Sequence, residues 1–219
     1  MPLKNMLLGA FLLGVFAIAG TGLVALTHSV TVERIAQNER EALLSLLHQL
    51  VPPKRHDNDL FEDVTYVTDP RLGTSRPVPV YRARRDGEPV AAVLAPVAPE
   101  GYGGNIRLLV AINIDGTLAG VRVLGHQETP GLGDKIEAER SDWILQFDRC
   151  SLEQPRPSNW AVKKDGGVFD QFTGATITPR AVVNAVHDTL IYFQNNREML
   201  FERNSAAEAD EQEEDEEHG

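Results

Sequence analysis

The chain has 219 residues, and its 21 Lys plus Arg against 32 Asp plus Glu give a net charge of −11. Eight of the acids fall in Glu208–Gly219, and without that run the charge is only −3, with no broad basic face to suit nucleic acid. A single cysteine, Cys150, excludes an intramolecular disulfide, an iron–sulfur cluster held by four thiolates, and a Cys-rich zinc site, and the absence of CXXCH excludes covalent c-type haem.

Met6–Thr27, MLLGAFLLGVFAIAGTGLVALT, carries no charge, and the next charge after Lys4 is Glu33. The hydrocarbon core of a bilayer needs about 20 apolar residues, whereas the apolar part of a cleavable signal peptide runs to about 7–15. Length therefore favours a retained anchor over residues 1–28. Lys4 and the terminal amine face Arg34 and Arg40 across this span, so charge alone specifies orientation poorly. Ala10 and Gly14 are read as ordinary small residues of such a helix.

Residues 29–79 read as a juxtamembrane helix followed by a connection. Val32, Ile35, Leu43, Leu46, Leu47 and Leu50 recur at helical intervals, and Pro52 ends the run. The stretch from Pro52 to Pro79 is polar and proline-punctuated, as an irregular connection would be.

The segment 80–197 reads as the folded domain. Asp86–Gly87 and Asp115–Gly116 each separate two apolar runs, the strongest short-range sign of a hairpin closed by a type I′ turn. A third turn is expected at Asp165–Gly167. TPRAVVNAVHDTLIYFQNN predicts a helix with Thr178 as N-cap, Pro179 at its first position, and an apolar face of Val182, Val183, Val186, Leu190 and Phe193. The predicted class is α+β, an antiparallel sheet with packed helices behind a single transmembrane helix. Residues 198–219 are acidic and of low complexity, which predicts a disordered tail.

The most informative stretch is DQFTGAT, Asp170–Thr176. Gly174 and Ala175 remove bulk around two hydroxyls, Thr173 and Thr176, just before a helix begins. A group on Thr176 would sit at the donor-rich end of that helix, where phosphate is favoured, with Arg180 near enough to compensate charge. Spacing alone favours an ordinary small-residue turn with a cap.

DQFTGAT also resembles the attachment sequence read by flavin transferases, an Asp, two free positions, Ser or Thr, Gly, Ala, Thr. GYGGNIRLLVAINIDGTLAGVRVLGHQETPGLGDKIE, Gly101–Glu137, is similar to the other hallmark of the FMN-binding domain shared by the G subunit of Rnf-type (Rsx-type) electron transport complexes and the C subunit of the sodium-translocating NADH:quinone reductase. With the anchor and the late helix, the resemblance covers Met6 to about Asn196 and is closest to the Rnf-type protein.

The resemblance implies FMN attached covalently, as a phosphoester on Thr176, with Asp170, Thr173, Gly174, Ala175 and Thr176 read by the transferase. It implies that Thr129, Pro130, Gly131, Leu132 and Gly133 lie beside the cofactor with Thr173, Gly174 and Ala175. It further implies a single-pass inner-membrane protein with a cytoplasmic N-terminus and a periplasmic FMN domain. Its partners would be the other membrane subunits of a complex that couples ferredoxin/NAD electron transfer to ion translocation. The chain would then be a redox subunit of a translocase, with no complete reaction and no catalytic residue of its own. The alternatives are the corresponding quinone-reductase flavoprotein or a non-redox structural anchor. No metal site is expected, because the six histidines are scattered; His126 and Glu128 are not read as ligands, and Tyr102, Trp143 and Trp160 are read as core or rim.

Overall fold

A computed structural model describes residues 2–202; of the disordered tail expected over 198–219, residues 203–219 lie outside the described residues, and 198–201 instead complete the last helix, with Leu200 buried. The chain divides between Ser45 and Leu46 into a helical segment and a compact body. Helix α1 runs unbroken over Pro2–Leu50. The anchor and the juxtamembrane helix expected after it are thus one helix, because nothing between Thr27 and Pro52 removes an amide or forces a turn. Within α1, Met6–His28 is 23 residues of mean hydropathy 2.3 with its apolar side chains exposed, Phe11, Phe16 and Ile18 among them. That fits a single-pass membrane protein.

The compact body holds six antiparallel strands, β1 (Val64–Val67), β2 (Val78–Arg85), β3 (Glu88–Leu94), β4 (Val97–Gly101), β5 (Gly104–Asn113) and β6 (Leu118–Gly125), and the helix α2 (Ile177–Phe201). They pair in the order β1-β2-β3-β5, and the long β5 also pairs with β4 and β6. Arg107 opposes both Val97 and Gly125, so β4 shares one edge of β5 with β3 while β6 takes the other.

Side chains alternate between the two faces of a strand. On one face Ala92, Leu94, Leu108, Val110, Ile112 and Val121 join Val182, Val186, Leu190 and Phe193 of α2 in the main core. An aromatic layer of Trp143, Phe147, Trp160 and Phe169 extends that core, with Phe147 stacked 4.7 Å from Phe169. On the other face Ala91, Val93, Leu109 and Ala111 are equally buried, and Leu50, at the end of α1, closes over Gly120. Leu47, Val51 and Leu60 are buried as well, so residues 46–79 belong to the same folded body as 80–197. The stretch read as an irregular connection supplies β1 at the sheet edge.

The two DG pairs behave differently. Asp86 and Gly87 both adopt positive φ, 53° and 80°, as the two-residue turn between β2 and β3 requires. Only Gly116 does so in the second pair. There the β5–β6 loop is four residues, Ile114–Thr117, because the Asp115 carboxylate accepts from the Thr117 amide and hydroxyl at 2.9 and 2.6 Å and bends the chain locally. The expected turn near Asp165 exists, with Gly166 at φ 90°, but its arms make only the single bridge Val162–Phe169.

Candidate functional site

The attachment loop is held from below. The Trp143 indole, buried among the core aromatics, donates from Nε1 to the Asp170 carbonyl at 2.7 Å, and its ring meets Phe172 edge-on at 5.2 Å. The chain then reverses: the Ala175 amide donates to the Phe172 carbonyl at 3.2 Å, and Gly174 takes φ 85°, a conformation that favours glycine. Thr173 and Gly174 are left exposed at the tip.

Helix α2 begins at Ile177, so the expected cap at Thr178 with Pro179 in first position is corrected by two residues. Pro179 is third in the helix, which is tolerated because the first four amides of a helix have no intrahelical acceptor. Thr176 is the flanking residue. Its hydroxyl makes no capping bond, since its own backbone is already helical (φ −76°, ψ −27°) and the third residue offers no N–H to receive. A half-buried hydroxyl, free of its helix, therefore stands beside the amides of Ile177 and Thr178 at the positive end of a 25-residue helix. Arg180, expected near enough to compensate charge, pairs here with a carboxylate of the chain itself. Its guanidinium forks onto Asp165 at 2.6 and 2.9 Å, and that hydrogen bond holds the Asp165 carboxyl below the usual range.

The second loop follows β6. The amides of Leu132 and Gly133 both donate to the Thr129 carbonyl at 3.1 Å, and Gly131 takes φ 80°. Thr129, Pro130, Gly131 and Leu132 are exposed while Gly133 is buried. Beneath them lies Glu128, 5% exposed. Its Oε1 accepts from the Gly103 amide at 2.9 Å and its Oε2 accepts from the Thr178 hydroxyl. The Glu128 amide donates to Nδ1 of His126, whose Nε2 donates to Glu137 at 3.0 Å. Gly133 leaves space for this pair: a Cβ there would stand 2.6 Å from Glu128 Oε2 and 3.0 Å from Thr178 Oγ1.

The two loops and the Tyr102–Gly103 turn of the β4–β5 hairpin enclose a cleft of about 360 Å³. Its walls are Tyr102 and Glu128, then Thr129, Leu132 and Gly133, then Gly174, Ala175, Thr176, Ile177 and Thr178. Six expected residues thus converge: Thr129, Leu132, Gly133, Gly174, Ala175 and Thr176. Thr173, Pro130 and Gly131 do not line the cleft, and the exposed Asp170 carboxylate pairs with Lys163 at 2.5 Å. Trp143 and Trp160 lie in the core. The reading of residue types missed Ile177, took Thr178 only as a helix cap, and set Glu128 and Tyr102 aside. The doubled glycines of GYGG were the one available sign, since they mark the tight turn that brings Tyr102 over the cleft. Three roomier depressions, of about 410, 620 and 790 Å³, lie elsewhere and do not include Thr176. Among the described residues no three His, Cys, Asp or Glu side chains gather as metal ligands.

Comparison with known proteins matches residues 101–191 to the FMN-binding domain and residues 1–50 to the RnfG N-terminal region. The G subunit of the ion-translocating oxidoreductase complex of Pseudoalteromonas atlantica is 53% identical over 191 residues, 87% of this chain and 89% of that one. The same subunit of Vibrio cholerae (51% over 189 residues, 86% and 90%) and that of Shewanella piezotolerans (47% over 208 residues, 94% and 98%) are similarly close. The chain belongs to the RnfG family. Members are membrane flavoprotein subunits of a redox translocase, and this chain has the two parts that role needs, a membrane-length helix and an FMN-binding domain. The N-terminal match separates the RnfG family from the quinone-reductase alternative.

The cleft suits FMN on its own geometry. Its volume lies in the range of small-molecule sites, its polar groups are few, and a helix N-terminus adjoins a free hydroxyl. A Cβ on Gly174 would come within 3.6 Å of Leu132, narrowing the mouth between the two loops. Gly133→Ala in this RnfG-family chain is expected to break the Glu128–Thr178 contact, cost about 1–3 kcal/mol in thermal unfolding, and weaken flavin retention.

Proposed function

We propose that this chain carries FMN as a phosphoester on the Thr176 hydroxyl and relays electrons through it within an Rnf-type ion-translocating oxidoreductase complex. The observation that carries the reading is the state of Thr176: a hydroxyl at the start of α2, unused as a cap, opening on a cleft that Gly174 and Gly133 keep clear. When bound, FMN supplies single-electron exchange that no side chain of this domain provides. The chain's own part is placement. The amides of Ile177 and Thr178 and the helix dipole would hold the anionic ester. Tyr102, Leu132 and Ile177 give the cleft exposed apolar walls that a bound flavin would cover. Trp143 and Phe172 fix the loop on which the attachment point rides.

Exposure supports the maturation step. Asp170, Thr173 and Gly174 stand at the surface, where a flavin transferase reads Asp170, Thr173, Gly174, Ala175 and Thr176. The anchor is in the inner membrane, with the N-terminus cytoplasmic and the FMN domain periplasmic, facing the other membrane subunits. A covalent tether suits that side, since a released cofactor would be lost there. The electrons pass between ferredoxin and NAD, coupled to ion translocation. A second reading, a structural anchor that carries no electrons, has no observation in its favour beyond the long helix.

The test is to co-express the full chain with a flavin transferase, denature it, and measure flavin fluorescence and intact mass. A denaturation-resistant flavin with the mass of one FMN phosphoester is expected. A parent chain without flavin despite an active transferase would hand the lead to the structural anchor. A periplasm-dependent reporter fused after Asn196 is expected to be active, and activity only of a cytoplasmic reporter would reverse the orientation.

A further inference from the structure

We propose that Glu128 sets the reduction potential of the flavin, its carboxylate acting as a fixed negative charge in the floor of the cleft that holds the potential down. The inference rests on the FMN reading of this site. A carboxylate that is 5% exposed is costly to bury unless charges or donors satisfy it. The ion pairs among the described residues do not include Glu128; one donor reaches each oxygen instead, the Gly103 amide on Oε1 and the Thr178 hydroxyl on Oε2.

The surroundings are shaped to keep it. A Cβ on Gly101 would stand 2.8 Å from Oε1, one on Gly133 2.6 Å from Oε2, and one on Gly103 3.0 Å from the Glu128 amide. Gly101 and Gly133 thus leave room for one carboxylate and Gly103 for the backbone that carries it, and that carboxylate lines the same cleft as Thr176. A ring seated there gains negative charge on reduction. A like charge fixed nearby, and itself 5% exposed, opposes that gain more strongly than it would in water. The potential is therefore lower with the carboxylate than without it.

Glu128→Gln isolates the charge. The amide oxygen can accept from Gly103, and its NH2 can donate to Thr178, whose hydroxyl hydrogen is free to rotate away. The experiment is a spectroelectrochemical titration of the flavin-loaded full chain in detergent, parent against Glu128→Gln. The midpoint is expected to move upward, with the reduced-to-oxidised ratio at the parent's midpoint rising about tenfold. An unchanged midpoint with flavin attached would overturn the proposal, because a merely structural residue changes retention or melting but leaves the potential in place.

A second arm does not depend on attachment. Free FMN is titrated, oxidised and reduced, into full-length Thr176→Ala with and without Glu128→Gln. The ratio of the Kd for reduced FMN to that for oxidised FMN is expected to fall about tenfold in the double variant, and an equal ratio overturns the role of Glu128. A parent chain without covalent flavin would sink the phosphoester reading, and this arm would still decide the role of Glu128.

Discussion

Replacing Thr176 by alanine is expected to remove the attached flavin completely while the domain remains folded. The two effects separate because of how the residue sits. Losing an N-cap hydroxyl commonly costs about 0.5–2 kcal/mol, since the side-chain oxygen satisfies an orphan amide of the first turn. Thr176 makes no such bond, and its half-buried methyl contributes little, so the melting curve is expected to move by no more than about 0.5 kcal/mol. Flavin attachment, by contrast, requires an oxygen at this position. Thr176→Ser keeps that oxygen and is expected to retain some loading, which distinguishes lost chemistry from lost shape.

The readouts are flavin in the denatured chain, intact mass, and a circular dichroism melt. Thr173 is the control, because its hydroxyl lies three residues away on the same loop but at the exposed tip and outside the cleft. Thr173→Ala is expected to keep an attached flavin with reduced loading, through poorer recognition by the transferase. A full-mass adduct persisting on Thr176→Ala and vanishing on Thr173→Ala would move the attachment point.

What was legible in the sequence is what is local in the sequence. Thr173–Thr176 and the start of α2 are neighbours along the chain, so residue type and spacing placed two hydroxyls beside a helix N-terminus, while the resemblance of DQFTGAT singled out Thr176. The apolar face of α2 was equally readable: Val182, Val183, Val186, Leu190 and Phe193 are all buried. The floor of the cleft was not. Glu128 is 25 residues from Gly103 and 50 from Thr178, and only the folded sheet brings the three together. The partner of Arg180 was hidden for the same reason, because Asp165 comes from a turn fifteen residues upstream. The edge strand β1 escaped because four residues, VTYV, are too short to show alternation, and pairing with β2 makes them a strand. Asp115 shows local chemistry overriding a motif: a side-chain hydrogen bond chose a longer loop than the DG pair suggested.

At the other end of α2, Asp63→Ala is expected to destabilise the compact body by about 3 kcal/mol. Asp63 bridges two arginines, its Oδ1 2.5 Å from Arg82 and its Oδ2 2.7 Å from Arg84. Both guanidiniums also donate to carbonyls at the helix end, Arg82 to Glu202 at 2.8 Å and Arg84 to Phe201 at 2.9 Å, where cations suit the negative end of the dipole. The side chains of Arg82 and Arg84 are 7% and 11% exposed, and breaking a buried pair by deleting one partner costs about 3–5 kcal/mol because the other charge stays behind. Asp63 is itself 20% exposed, so water can reach the gap and the lower figure applies. For a body of this size that corresponds to a fall in Tm of about 6–12 °C. The damage should be local before it is global: α2 is 25 residues, about 37 Å along its axis, and Thr176 lies at its far end. Flavin attachment is therefore expected to survive at temperatures below the melt, while amide exchange quickens first around Met199–Phe201. A loss below about 1 kcal/mol would mean that water already satisfies the arginines, and that packing of Leu200 and Phe201, rather than the charge cluster, holds the helix end.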